Sequence, residues 1–157
     1  QLLRLVGGTN RGFAPAPEVS KAVAFCVEQL EKLSPLPSLP ERRRRRPEVP
    51  SALLGRWRMV WCSAPELLPL AALNCGEVCQ EVLLQRTAPQ PLEVRTYTEV
   101  AGLQLVLRTC AEPRWGSALT VRTQWSPPVD FATTFLDEEL WVVRTPLGGA
   151  LVWLRQR

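Results

Sequence analysis

The chain has 157 residues, 46% hydrophobic and 22% charged, with a formal net charge of +4 at pH 7, a composition that suits one globular domain with a real core. Histidine is absent, and with it go the commonest general base, the usual partner of a Ser or Cys nucleophile and the commonest neutral metal ligand, so most hydrolase and metalloenzyme readings fall. The basic residues are seventeen arginines and two lysines, and five of the arginines stand together at Arg42 to Arg46; the rest of the chain is close to neutral, which argues against nucleic acid as a partner, since that needs basic and aromatic residues interleaved on one face.

In chain order, "QLLRLVGG" predicts a short helical turn ended by Gly7 and Gly8. From Val19 to Leu33 the apolar residues Val19, Ala22, Val23, Cys26, Val27, Leu30 and Leu33 recur at three and four, with Pro17 and Glu18 at the start and Pro35 as the stop. That is the pattern of an amphipathic helix. Residues 1–34 thus read as an N-terminal helical arm with one apolar side. Residues 35–51 are rich in proline and contain the arginine run, so they read as an exposed, extended linker. Within it Arg42, Arg43, Arg44, Arg45 and Arg46 form either a solvated loop or a contact for an anionic membrane surface, where each basic residue contributes roughly 1 kcal/mol.

From residue 52 to 157 the apolar period changes from 3.6 to 2. Alternating runs separated by Gly, Pro and Asn predict eight strands, near 55–63, 77–86, 92–100, 103–111, 117–125, 131–136, 140–145 and 150–156. "PLGG" between the last two is a hairpin connection. A meander of this count closes most economically into a barrel, which removes the edge strands. The fold class is therefore mainly β: an antiparallel barrel of about eight strands with an N-terminal helical arm.

Along "GRWRMVW" the residues Trp57, Met59 and Trp61 fall on one face and Arg56, Arg58 and Val60 on the other, as a strand with one side in the core requires. The same parity collects Leu103, Leu105 and Leu107 on one strand and Leu119, Val121 and Trp125 on another. The expected apolar site inside the barrel is lined by Trp57, Met59, Trp61, Val78, Leu103, Leu105, Val121 and Trp125. None of these eight titrates, so the site is unreactive. A barrel of eight strands is just wide enough to be filled by side chains or to hold one small ligand; six tryptophans lean toward filling, and small residues such as Thr96, Thr98 and Thr109 lean toward space.

Other features point away from chemistry. Asp137, Glu138 and Glu139 are adjacent at a strand start, where neighbours face opposite ways, and read as a solvated turn. Five cysteines at irregular spacings, with Cys75 and Cys79 as a lone C-x3-C pair, suit reduced thiols and not a zinc site. The segment "ELLPLAALNCG" at Glu66–Gly76 is a lid, a membrane-dipping loop or a cap on the barrel.

Gly55-Arg56-Trp57 has the G-x-W form of lipocalin-like barrels, which implies a tryptophan plugging the closed end with Arg144 or Arg155 of a late strand packed over it. More broadly, "GGTNRGF" at Gly7–Phe13, "VEQLEKLSPLPSLP", "LLGRWRMVWCSAPE", "GEVCQEV" and "TTFLDEELWVVRTPLGGALVWLRQ" together resemble the plastid lipid-associated proteins, the plastid fibrillins, over nearly the whole chain. Trp141, where the family usually has an arginine, and "TPLGG" depart from the family pattern. The resemblance implies a non-catalytic chloroplast protein, peripheral to thylakoids or plastoglobules, that binds or coats an apolar lipid or isoprenoid such as a quinone, carotenoid or fatty acid and needs no cofactor. An alternative is a structural accessory subunit with a filled barrel, docked on a larger thylakoid membrane protein complex.

Overall fold

The structure, a computed structural model, describes residues 1–13, 15–34, 49–65, 76–85, 92–113, 118–123 and 126–157. Helix α1 (Leu2–Val6) is followed by α2 (Pro17–Lys32). Pro17 opens α2, where its missing N–H is no loss, and Glu18 lies in the first turn, at the positive end of the helix dipole. At the other end the Leu33 N–H bonds back to the carbonyls of Gln29 and Leu30.

Among the described residues there are eight strands: β1 (Gly55–Cys62), β2 (Val78–Leu84), β3 (Leu92–Val100), β4 (Leu103–Pro113), β5 (Ala118–Thr123), β6 (Ser126–Leu136), β7 (Leu140–Arg144) and β8 (Ala150–Gln156). Each pairs antiparallel with the next, and β8 pairs back onto β1, so the meander closes into a barrel. The predicted strands are present. The largest boundary difference is β6, which begins at Ser126 and carries Pro127 and Pro128 inside a strand. A proline pair reads as a break in sequence, but proline is tolerated where the ladder needs no donor.

Two apolar clusters lie on the two sides of the β1–β8–β7 wall. Inside, Trp57, Met59, Cys62, Trp141, Val143, Leu151 and Trp153 pack with Val82, Leu92, Val94 and Ala111 from across the barrel. Outside, Trp61, Phe135, Val142, Ala150 and Val152 are covered by Leu2 and Val6 of α1 and Val23 and Val27 of α2. The wall is thus buried on both faces, which explains why "WVV" and "ALVW" read as continuous apolar runs.

Trp61 corrects an expectation. The alternation places it on the inner face with Trp57 and Met59, yet it belongs to the outer cluster. The ladder with β8 slips between Met59, which faces Trp153, and Trp61, which faces Val152. One extra residue in a period-2 element sends every later side chain to the other face, so Trp61 turns out beneath the helices and Cys62 turns in.

The "GTNRG" turn is shaped around that outward indole. The Thr9 hydroxyl donates to the Val6 carbonyl at 2.7 Å and accepts from the Gly12 N–H at 3.2 Å. Gly12 has a φ of 84°, and a Cβ there would stand 2.7 Å from the Cys62 carbonyl oxygen and 2.9 Å from the Trp61 ring. Only glycine permits both the left-handed backbone and the close approach.

The far end of α2 is tied to the barrel by charge. Arg144 donates from Nε and Nη2 to the two Glu31 oxygens at 2.7 and 2.9 Å, and the Thr134 hydroxyl donates to Glu31 Oε1 at 2.7 Å. The Arg144 hydrogen bonds hold the Glu31 carboxyl below its ordinary value of 4.5, against the opposing effect of burial. A lowered folded pKa contributes stability that is fully present above the unfolded carboxyl range and is lost as pH falls through the folded value. Glu31→Gln is accordingly expected to cost about 1 kcal/mol near neutral pH in urea unfolding and to flatten the loss of stability below the ordinary carboxyl range. An unchanged acid limb would show that the pair does not hold α2 to the wall.

Candidate ligand site in the barrel interior

The closed end of the barrel is built from three indoles. Trp57 is fully buried and donates from Nε1 to the Leu53 carbonyl at 2.9 Å. Trp141 meets it edge-on, with ring centroids 5.6 Å apart, and Trp153 stacks on Trp141 at 5.9 Å. These are the separations at which aromatic quadrupoles attract. Trp141 Nε1 donates to the Thr133 hydroxyl at 3.2 Å, so its polar edge is also satisfied. Sequence reasoning registered Trp141 only as a departure from the family pattern and missed it as the centre of this plug; its inward parity beside Val143 was the signal available.

Arg155 lies over the Trp57 ring. Its guanidinium carbon lies 4.2 Å from the Trp57 ring centroid, Nη1 donates to the Leu54 carbonyl at 2.8 Å, and further bonds reach the carbonyls of Ala52 and Glu138. The cation is stacked and its donors are used. Gly55, at φ 128°, makes room: a Cβ there would stand 2.6 Å from Arg155 Nη1. Of the two arginines considered for this place, Arg144 lies instead at Glu31 on the outer side.

Away from the plug the inner face changes character. Register sets Val82, Gln80 and Val78 of β2 opposite Val94, Thr96 and Thr98 of β3, and these opposite Thr109, Leu107 and Leu105 of β4, with Val100 opposite Leu103 beyond. Directly opposed residues share a face, so this is one continuous surface. It runs from buried Val82 and Val94 to Leu105 and Leu103, which are 50% and 69% exposed. Gln80 Nε2 donates to the Thr96 hydroxyl at 3.2 Å. The Thr98 Oγ1 is buried and has no hydrogen-bond partner among the described residues.

Of the eight residues expected to line the site, Trp57 and Met59 are buried in the inner cluster and Val78 packs, partly buried, against it. Leu103 and Leu105 lie on the inward parity but at an open mouth and not in an enclosed lumen. Val121 is located by register alone, paired with Ala111 and Val129. Trp125, Arg42 to Arg46 and residues 66–75 of the candidate lid lie outside the described residues. Among the described residues no ionisable side chain stands on the β2–β3–β4 inner face, which can bury an apolar group and offer hydroxyls and an amide.

The outer side of the same wall is polar. A concavity of about 470 Å³ lies there, lined by Arg56, Glu77, Cys79, Tyr97, Gln104 and Gln156 among others. Burial pushes the Cys79 thiol up, away from the reactive thiolate. Asp137 shapes a turn, its Oδ1 accepting from the N–H groups of Glu139 and Leu140 at 2.8 and 2.6 Å. Among the described residues no three His, Cys, Asp or Glu side chains are grouped to hold a metal ion, and no helix is long and apolar enough to cross a membrane.

In comparison with known proteins, the PAP_fibrillin family model matches residues 1–111. No curated protein matches the chain.

Proposed function

The chain belongs to the PAP_fibrillin family, and from that premise we propose that it is a non-catalytic, plastid lipid-associated protein that takes a long-chain or isoprenoid molecule, such as a quinone, carotenoid or fatty acid, at the mouth of its barrel. The observation that carries this reading is the open inward row of Leu103, Leu105 and Leu107 beside the Thr98 hydroxyl, which has no partner among the described residues, on a barrel whose inner cluster holds Trp57 and Met59. Covering half-exposed leucines with a hydrocarbon chain gains about 25 cal/mol per Å² of apolar surface removed from water. Shape alone separates such chains by only about 1 to 3 kcal/mol per methylene, so selectivity among tails is loose.

Titration with a soluble quinone analogue is expected to quench the indole fluorescence saturably. Leu105→Asp removes the saturable component by placing a charge at the mouth, while the melting temperature changes little because the side chain is half exposed. If no quinone, carotenoid or fatty acid quenches the folded parent saturably, the mouth is not a ligand site. The indole-filled closed end then favours the other reading, an accessory subunit docked on a larger thylakoid membrane complex.

We also assign Arg42 to Arg46 to an anionic membrane surface, on the basis of five adjacent positive charges in a proline-rich segment. Replacing all five by glutamine is expected to leave the melting temperature nearly unchanged and to weaken binding to vesicles rich in anionic lipid, with loss of its salt dependence. Equal vesicle binding by both proteins would reduce the run to a solvated spacer.

A further inference from the structure

The two edges of β4 are used unequally. Toward β3 the strand is paired from Leu103 to Ala111, whereas toward β5 it is paired only from Cys110 to Pro113. Among the described residues, then, the seven-residue edge from Leu103 to Thr109 meets no strand. Both faces are open from Leu103 to Arg108 as well, Thr109 being the buried end of the stretch: Val106 on the outward parity is 48% exposed, and Leu105 and Leu107 on the inward parity are 50% and 51% exposed. Natural sheets blunt such an edge with charge, proline or a bulge. "LQLVLRT" has no proline, and Arg108 is its single charged residue.

We propose that this edge is the interface between two copies of the chain, joined by antiparallel pairing of β4 with its counterpart about a twofold axis at Val106. In that register Val106 faces itself, Leu105 faces Leu107 of the second copy, Gln104 faces Arg108, and Leu103 faces Thr109. All seven free residues are used, apolar meets apolar at the centre, and no like charges meet. Centring on Leu105 leaves Arg108 and Thr109 without a partner; centring on Leu107 sets Val106 against Arg108 and reaches Cys110, which is already paired with Arg122 of β5. The segment is thus self-complementary in one register, which is what an isologous contact requires and what an unrelated strand would have to match by chance. The inward leucine rows of the two copies become continuous across the joined sheets.

Sedimentation velocity of the chain over the micromolar range is expected to show a concentration-dependent dimer. Val106→Lys brings two ammonium groups together on the axis and yields monomer at every concentration, with an unchanged far-UV spectrum and a melting temperature that no longer rises with protein concentration. Gln104→Glu places a carboxylate opposite each Arg108 and tightens the dimer by about three- to tenfold at low salt. Val106→Cys cross-links the two copies, and the 106–106 peptide pair is identified by mass spectrometry. A parent that stays monomeric, a Val106→Lys dimer as tight as the parent's, or a Gln104→Glu dimer that is weaker would overturn the proposal.

Discussion

Trp57→Ala is expected to lower the unfolding free energy by about 3 to 5 kcal/mol, the largest effect of any truncation in this barrel. The indole is fully buried, so the change forfeits its whole transfer free energy and leaves a cavity whose rim is made of rigid groups. Trp141 loses its edge contact, Arg155 loses the ring beneath its guanidinium, and the Leu53 carbonyl loses its donor. Arg155 cannot collapse into the space without breaking its bonds to the carbonyls of Leu54 and Ala52. The measurement is a urea unfolding midpoint at constant slope. Trp57→Phe, which restores a ring but no N–H, is expected to recover about half of the loss. A cost below about 1 kcal/mol for the alanine variant would mean that the closed end relaxes freely and that the indole plug does not organise the barrel.

The second large effect is expected at Gly12. Alanine there meets a left-handed backbone, which costs about 1 to 2 kcal/mol for a residue with a Cβ, and its methyl group falls within 3 Å of the Cys62 carbonyl and the Trp61 ring. One of the two neighbours is backbone in a central strand, so the "GTNRG" turn must lift. Lifting it uncovers Trp61 and loosens α1, whose Val6 carbonyl is held by Thr9. The expected outcome is a loss of about 2 to 4 kcal/mol. Hydrogen exchange should locate it: amides of α1 and the start of α2 lose protection, while those paired between β2 and β3 keep it. Indole emission shifts to the red as Trp61 becomes wet. Protection that falls uniformly over the molecule would indicate that the arm and the barrel unfold as one unit and that the turn is not a separable clasp.

How much of this was legible beforehand can be judged from particular residues. Strand positions were, because a half-buried strand must alternate, and "LEVRTYTEV" and "LQLVLRT" do so whatever surrounds them. The helical arm was legible for the same reason at a different period, with Pro17 and Pro35 marking its ends. The glycine and tryptophan of the first strand announce a closed end, and the late strands offer two arginines, Arg144 and Arg155, to pack over it. Which of the two occupies it depends on ladder register: Arg155 is paired directly with Trp57, whereas Arg144 is paired with Ala150 and Ala132 at the other end of its strand. Local sequence contains no register, since register is a relation between distant segments.

Trp61 marks the sharpest boundary. Its alternation with Trp57 and Met59 is intact in the sequence, and the inference that all three point one way fails only because the β1–β8 ladder gains a residue between Met59 and Trp61. A bulge is decided by the strand it bulges against, and the compensation, an apolar cover from Val23 and Val27 of α2 together with the Gly12 turn, comes from residues some forty positions away. Leu103, Leu105 and Leu107 show the converse. Their inward parity was readable from the alternation, but burial needs an opposite wall, and the short pairing of β4 with β5 leaves that wall absent along the free stretch among the described residues. The sequence by itself therefore determined the alternation of apolar residues along each strand and that the strands form a meander. The tertiary structure alone decided which side is inside, where the interior is packed with indole and where it opens, because closure, bulges and the cover of the arm are set by contacts between segments that no local pattern encodes.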